Sequence, residues 1–355
     1  MAKISIIGSY PPHYGGISMH VQRLHALLGE SNDCRVVDMY AAGGEQDDGV
    51  DRVYGNKLLR VFRCRQLLAR RQSDIEHFHV SAMRKFLWGT PALLTGRKHS
   101  RKVLTIHGGA FPDVVASLSA WEKRLFGWML NRFDHFVCVS EKQRLVLDEW
   151  RVPAEKISVV NAYLPPVASP PSGLFAEIEE ARAQGSRILL CSAMYMEHYG
   201  ITELYQAMEK LEQDLGNSAP RLVLVTYADL DESYREKCRE LQSNIAPTWE
   251  FDRLNPEQVA ELMALSDVFV RATYWDGDAV SVRESAFFGN RIVATDVTTR
   301  PEGSILCKDK DPESLYLALK QAMEDEQAGT VSFDHQLSLR ALVQVYKDLG
   351  AANLS

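Results

Sequence analysis

The stretch YWDGDAVSVRESAFFGNRIVATDV, Tyr274 to Val297, decides how the chain folds. The apolar run DVFVRATYW (267–275) leads into it and reads as a strand. An acidic, glycine-containing turn follows, then a helix over VRESAFFG closed by Gly289 at a left-handed cap position, then a strand over RIVATD. Strand, turn, helix, strand is the unit of a doubly wound α/β domain, whose ligands lie at the carboxyl ends of parallel strands. A turn placed there aims the N–H groups of Ala279, Val280 and Ser281 and a positive dipole end at a phosphate. Glu284 can accept two hydroxyl hydrogen bonds at once, which suits the diol of a ribose, and Arg283 beside it can neutralise a diphosphate. Asp276 or Asp278 has an everyday alternative as a helix cap, which leaves Arg283 and Glu284 unexplained.

The same unit recurs outward in both directions. KISIIG (3–8), the turn-rich SYPPHYGGIS (9–18) and the amphipathic MHVQRLHALL (19–28) form the first strand, loop and helix. DCRVVDMY, IEHFHV, KVLTIHGG and HFVCVS continue as strands, with the helix EKQRLVLDEW after the last. LPPVASPPSG (164–173) is the densest proline and serine run and reads as an interdomain linker. A second series follows it, with strands RILLCSAMY and RLVLVTY and helices ITELYQAMEKLEQDL, ESYREKCRELQ and NPEQVAELMALS. A final helix over roughly 334–349 carries apolar residues at helical spacing and is long enough to pack back across the first domain. The expected organisation is a first domain over 1–165 joined by a C-terminal helix at about 336–355, and a second domain over 166–335.

Composition excludes several classes. At 355 residues the chain suits two α/β cores rather than one. No stretch approaches the roughly 20 apolar residues of a membrane span, and the first apolar run lacks signal-peptide flanks, so a cytoplasmic protein is expected. Six scattered cysteines suggest neither disulfides nor zinc. Residues 1–165 hold 23 Lys and Arg against 16 Asp and Glu, a net charge of +7, whereas the remainder holds 17 against 31, a net charge of −14. The positive residues gather in RVFRCRQLLARR (60–71), MRKFLWG (83–89) and GRKHSRK (96–102), interleaved with Leu, Phe and Trp. Such segments suit an anionic membrane surface or a phosphorylated lipid, and equally a solvated helix face. Nucleic acid is not expected, because the whole chain is acidic and carries no recognisable nucleic-acid module.

Asp276 and Glu284, separated by seven residues, together with GDAVSVRE, GNRIVATDV and RPEG, resemble the acidic signature of retaining glycosyltransferases of the GT-B fold, family 4 (glycosyl transferases group 1). Members from bacterial exopolysaccharide and O-antigen clusters are the most similar in these segments. PPHYGGIS (11–18) resembles the family's glycine loop, HGG (107–109) its histidine near the transferred sugar, and VVNAY (159–163) the segment before the linker. The resemblance implies two Rossmann-like domains with parallel sheets facing across a cleft. It implies transfer of a hexose from a UDP- or GDP-sugar to a saccharide hydroxyl, with no metal or other cofactor. The basic, Trp- and Leu-containing first domain suggests that the acceptor is a polyprenyl-diphosphate-linked saccharide at the inner membrane face. The resemblance assigns the leaving diphosphate to the amides of Gly15 and Gly16, to Arg283 and to His198, the ribose to Glu284, and the sugar's hydroxyls to His107 and Asp276. Two departures stand out. Met194 and Tyr199 occupy the positions where the family places an arginine and a lysine on the diphosphate, and the first acid of the signature is shortened to Asp276. A non-catalytic sugar-nucleotide scaffold and a GT-B epimerase or phosphorylase therefore stay open, and a dehydrogenase ranks last because no GxGxxG follows either opening strand.

Overall fold

The computed structural model describes residues 1–12, 16–41, 47–95, 99–166, 171–227, 231–276 and 279–351. They form two compact units, Met1–Leu164 with Gln336–Ser355, and Pro165–His335. Much of the expected linker, residues 167–170, lies outside the described residues.

The first unit runs β1 (Lys3–Gly8), α1 (Gly16–Gly29), β2 (Asp33–Asp38), β3 (Val50–Arg52), α2 (Lys57–Arg71), β4 (Ile75–Val80), α3 (Met83–Gly89), β5 (Arg101–Ile106), α4 (Phe111–Ala116), α5 (Ala120–Leu130), β6 (His135–Cys138), α6 (Glu141–Glu149) and β7 (Ile157–Val159). The strands pair in parallel in the order β3-β2-β1-β4-β5-β6-β7. Buried on both faces, they are near-continuous apolar runs rather than alternating ones. Successive side chains still point to opposite faces. Ile4, Ile6, Val36, Ile75, Val103 and Val137 pack with Val21, Leu24 and Leu28 of α1, whereas Ile7, Val37, Phe78, Leu104 and Phe136 pack with side chains from α2 to α6.

The second unit runs α7 (Ala176–Ala183), β8 (Ile188–Ala193), α8 (Ile201–Leu215), β9 (Arg221–Thr226), α9 (Glu232–Gln242), β10 (Trp249–Asp252), α10 (Pro256–Ala264), β11 (Val268–Arg271), α11 (Val280–Phe287), β12 (Arg291–Thr295), β13 (Ile305–Cys307) and α12 (Pro312–Glu324). Its strands are again parallel, in the order β10-β9-β8-β11-β12-β13. The last helix, α13 (Leu337–Asp348), returns to the first unit, where Leu342, Val345 and Tyr346 join the α1 face of its sheet. The architecture is thus the two-domain parallel α/β class expected from the strand and helix alternation.

In each sheet the chain order reverses at one point, between β1 and β4 in the first and between β8 and β11 in the second. Crevices at such points are where doubly wound sheets bind ligands. Both crevices are closely built. Gly108 sits so near Ser81 that a Cβ would lie 2.3 Å from its carbonyl oxygen. Gly200 has φ +67° and would place a Cβ 2.1 Å from the carbonyl oxygen of Ala272, so only glycine fits. Among the described residues no helix is long and apolar enough to cross a membrane. All six cysteines are free and buried, and burial pushes their thiols up to about 12.

Candidate functional site

The quoted stretch folds as its pattern predicts. Helix α11 ends in a double hydrogen-bonded cap, Gly289 N–H to Ala286 and Asn290 N–H to Ser285, with Gly289 at φ +85°. At the other end Ala279 is the N-cap and contributes no side-chain bond, so the first amides of the helix are not capped by Asp276. Asp278 and Gly277 lie outside the described residues. Glu284 is half-buried on this helix, and the Arg283 guanidinium sits over the Phe333 ring, 5.4 Å from its centroid.

Asp276, in the turn after β11, is engaged by side chains around it. Its carboxylate accepts from Arg271 Nε at 2.9 Å and Arg271 Nη2 at 3.2 Å, from Arg300 Nη1 at 3.0 Å and from Thr273 Oγ1 at 3.4 Å. A carboxylate has about four lone-pair sites, so these four contacts leave little capacity for sugar hydroxyls. The side chain is 9% exposed, and Arg300 only 2%. Burial opposes the Asp276 charge, but Arg271 and Arg300 outweigh it and hold the carboxyl below its ordinary range. Burial likewise opposes the Arg271 charge, and Asp276 more than restores it, so that group stays cationic above its ordinary range. Arg300 is fixed further by Nε donation to the Thr295 carbonyl at 3.1 Å. In this arrangement Asp276 orients two buried arginines, and one positive charge remains in excess.

Arg271 lies beside Tyr199, one of the two positions where the family's cation is missing. Arg271 ends β11 with its guanidinium 5.4 Å above the Tyr199 ring and donates to the Ser192 carbonyl at the end of β8. Tyr199 itself is uncharged at neutral pH, since burial and then Tyr227 push its hydroxyl up to about 12. His198 stacks on Trp275 with ring centroids 4.5 Å apart and planes 11° from parallel. Desolvation, and secondarily Arg271, lower its pKa, so a cationic His198 would need a bound phosphate to raise it. Trp275, 64% exposed, gives the His198 ring an aromatic platform. Tyr274 donates to Glu203 at 2.7 Å and its backbone N–H to the His198 carbonyl at 2.8 Å, which locks the β11 turn to the β8 turn.

In the first unit His107 follows β5, with its backbone N–H on the Val80 carbonyl at 2.7 Å. Its Nε2 lies 3.0 Å from His79 Nδ1. His20 of α1 stands 4.8 Å from the His107 ring and 5.2 Å from the His79 ring, and its Nδ1 contacts the Ala162 carbonyl at 2.8 Å. His77 is held between Thr105 and Tyr346 of α13. Desolvation first, and the neighbouring imidazoles second, hold His77, His79 and His107 well below the ordinary histidine range. They are neutral hydrogen-bonding rings. Gly16 opens α1 and is exposed, and Gly15 lies outside the described residues.

The basic segments are more structural than their charge suggested. Arg63 donates to the Tyr54 carbonyl, Arg65 to Ala92 and Thr95, and Arg71 to Asp33 and the Ile4 carbonyl. Of these, Arg71 is neutralised by a carboxylate. In MRKFLWG, Met83, Phe86 and Leu87 belong to the core and Trp88 is exposed against Trp121, with ring centroids 4.9 Å apart. Leu58 and Phe62 of α2 are exposed as well. Residues 96–98 of GRKHSRK lie outside the described residues.

Comparison with known proteins matches this geometry to a family. The model of glycosyltransferase family 4 matches residues 14–162, and that of glycosyl transferases group 1 matches residues 185–325. No curated protein matches the sequence. Among solved structures, sucrose-phosphate synthase from Thermosynechococcus elongatus is similar with a TM-score of 0.70 at 15% identity, covering 99% of this chain and 100% of that one. A glycosyltransferase from Rickettsia africae has a TM-score of 0.67 at 15% identity, covering 98% of each chain. The Anabaena protein HepE, solved with UDP-glucose, has a TM-score of 0.67 at 14% identity, covering 99% of each. With one family model on each unit and GT-B structures matched along its length, the chain belongs to the family 4, group 1 glycosyltransferases of the GT-B fold.

Proposed function

We propose that this glycosyltransferase moves a hexose from a UDP- or GDP-sugar to a hydroxyl of a saccharide acceptor with retention at the anomeric carbon. The observation that carries the reading is the Arg271–Asp276–Arg300 cluster at the carboxyl end of β11. It supplies buried positive charge at the end of β8, with Arg271 over the Tyr199 ring, in a chain that lacks the family's usual cations. In this account Arg271 faces the diphosphate and the buried Arg300 adds positive charge without touching it, the N-terminal amides of α11 from Ala279 to Ser281 assist, and Glu284 takes the ribose diol. His107, a neutral ring, takes a hydroxyl of the sugar. The bond from the anomeric carbon to the phosphate oxygen breaks as the acceptor oxygen attacks from the same face, and the acceptor's proton passes to the departing phosphate. Charge on that phosphate is stabilised by the two guanidinium groups, and the reaction needs no metal of its own. The first unit serves as the acceptor-binding domain and the second as the donor-binding domain.

The acceptor we favour is a saccharide on a polyprenyl-diphosphate carrier, with the protein peripheral on the cytoplasmic face of the inner membrane, in synthesis of a surface polysaccharide. The basic α2 with its exposed Leu58 and Phe62, and the exposed Trp88 and Trp121, support that reading. HepE, solved with UDP-glucose, supports the donor class. Mass spectrometry of reactions containing single sugar nucleotides and a lipid-diphosphate saccharide tests it. A product one hexose heavier, with α-configuration retained by NMR, is expected. Nucleotide binding without any product would instead favour the sugar-nucleotide scaffold that Met194 and Tyr199 leave open.

A further inference from the structure

We propose that His20, His79 and His107 form a binding site for one divalent transition-metal ion of the zinc class. Each ring brings one nitrogen, and the three nitrogens lie within 4.8 Å of one another. Tetrahedral zinc with bonds of roughly 2.0–2.1 Å to nitrogen separates its ligand atoms by about 3.4 Å. His79 Nδ1 and His107 Nε2, 3.0 Å apart, are already near that spacing, and a small swing of His20 completes the set. The three rings come from α1, β4 and the turn after β5, at the crevice where the sheet reverses.

Two further observations favour a ligand here. Nε2 of His20 is buried and has no hydrogen-bond partner among the described residues, an arrangement that costs free energy unless something occupies it. His20 also has the outer contact that a metal-bound imidazole uses, since its Nδ1 meets the Ala162 carbonyl and that fixes the tautomer with Nε2 unprotonated. Three imidazoles without a carboxylate suit zinc, cobalt, nickel or copper and disfavour magnesium and calcium, which take oxygen ligands. His20 and His79 are buried and His107 is half-buried, so the fourth position lies on the His107 side. An ion held there withdraws His107 from any sugar hydroxyl. It is therefore inhibitory, and that consequence alone rests on the function proposed above.

The test uses the full chain without a polyhistidine tag, stripped with chelator and titrated calorimetrically with Zn²⁺, Co²⁺ and Mg²⁺, with folding checked by circular dichroism. One equivalent of Zn²⁺ or Co²⁺ should bind, Mg²⁺ should not, and cobalt should show the strong visible absorption of a tetrahedral site. His20→Ala and His79→Ala should each weaken binding by at least about tenfold, and the exposed His99→Ala should not change it. Absence of stoichiometric uptake by the folded wild-type chain overturns the proposal, as does uptake that His20→Ala leaves intact. Zinc should also lower turnover of the wild type and spare His20→Ala. Binding with no measurable turnover in any protein would sink the transferase reading while leaving the metal site standing.

Discussion

Replacing Asp276 by asparagine removes the anion that holds two buried arginines in place. The amide keeps the shape and one acceptor oxygen, but Arg271 and Arg300 then face each other with no counter-charge. Breaking one side of a buried ion pair costs about 3–5 kcal/mol. The retained acceptor places this change near the lower end, at about 3 kcal/mol. For a unit of this size that corresponds to a fall in melting temperature of roughly 6–12 °C. Urea unfolding followed by near-ultraviolet circular dichroism measures the loss. Arg300→Met in the same background removes one of the two cations, so the double variant should be more stable than the sum of the singles by about 1 kcal/mol or more. The pH dependence has a fixed sign. Asp276 titrates lower in the folded state than in the unfolded chain, so its contribution is complete above the ordinary aspartate value. It disappears as the pH falls from there through the folded value. The gap between wild type and Asp276→Asn should thus be constant from pH 5 to 8, within about a unit of the ordinary value or above it, and close in stronger acid. An unchanged melting temperature with strictly additive double-variant effects would refute the cluster as a coupled unit.

Other outcomes follow from the same geometry. Arg271→Met should weaken nucleoside diphosphate binding by about 10–100-fold, the worth of a charge-assisted hydrogen bond, and weaken nucleoside binding far less; equal losses for both in calorimetry would take Arg271 off the diphosphate. Gly200→Ala should cost on the order of 1–3 kcal/mol in urea unfolding, because the residue has φ +67° and the new methyl meets the Ala272 carbonyl. Phe62→Ser together with Trp88→Ser should lower binding to vesicles containing anionic lipid by about tenfold or more in a sedimentation assay, from the lost burial of two aromatic rings. Unchanged sedimentation would remove the membrane surface from the account.

The strands that lie inside each sheet were legible because a strand buried on both faces must be an apolar run, as in KISIIG, RILLC and RLVLVT. The short edge strands β3, β10 and β13 were not. They have three or four residues, several of them partly exposed, so no run forms. Helix α12 went unread although Asp311 caps it, Pro312 opens it and Leu315, Ala318, Leu319, Ala322 and Met323 line one face. The basic segment 60–71 is a helix with only Cys64 and Leu68 buried, and its charge concealed its period. In the site, Glu284 and the helix start were readable as a local motif. Arg271 and Arg300 were not, since they stand 29 positions apart and meet only because β11 pairs with β12. RPEG resembles a family segment, but nothing in four letters says that its arginine turns inward to Asp276. The histidine cluster shows the same limit: His20, His79 and His107 come together through sheet order, not through spacing.

The most direct test of the central claim is calorimetric titration of the chain with UDP, GDP, ADP and dTDP beside its Glu284→Ala variant. One nucleotide should bind with unit stoichiometry, and the variant, which keeps Arg271 and Arg300 but loses the ribose acceptor, should bind it at least about tenfold more weakly. Binding of no nucleotide at millimolar concentration, or binding that Glu284→Ala leaves unchanged, would contradict the claim.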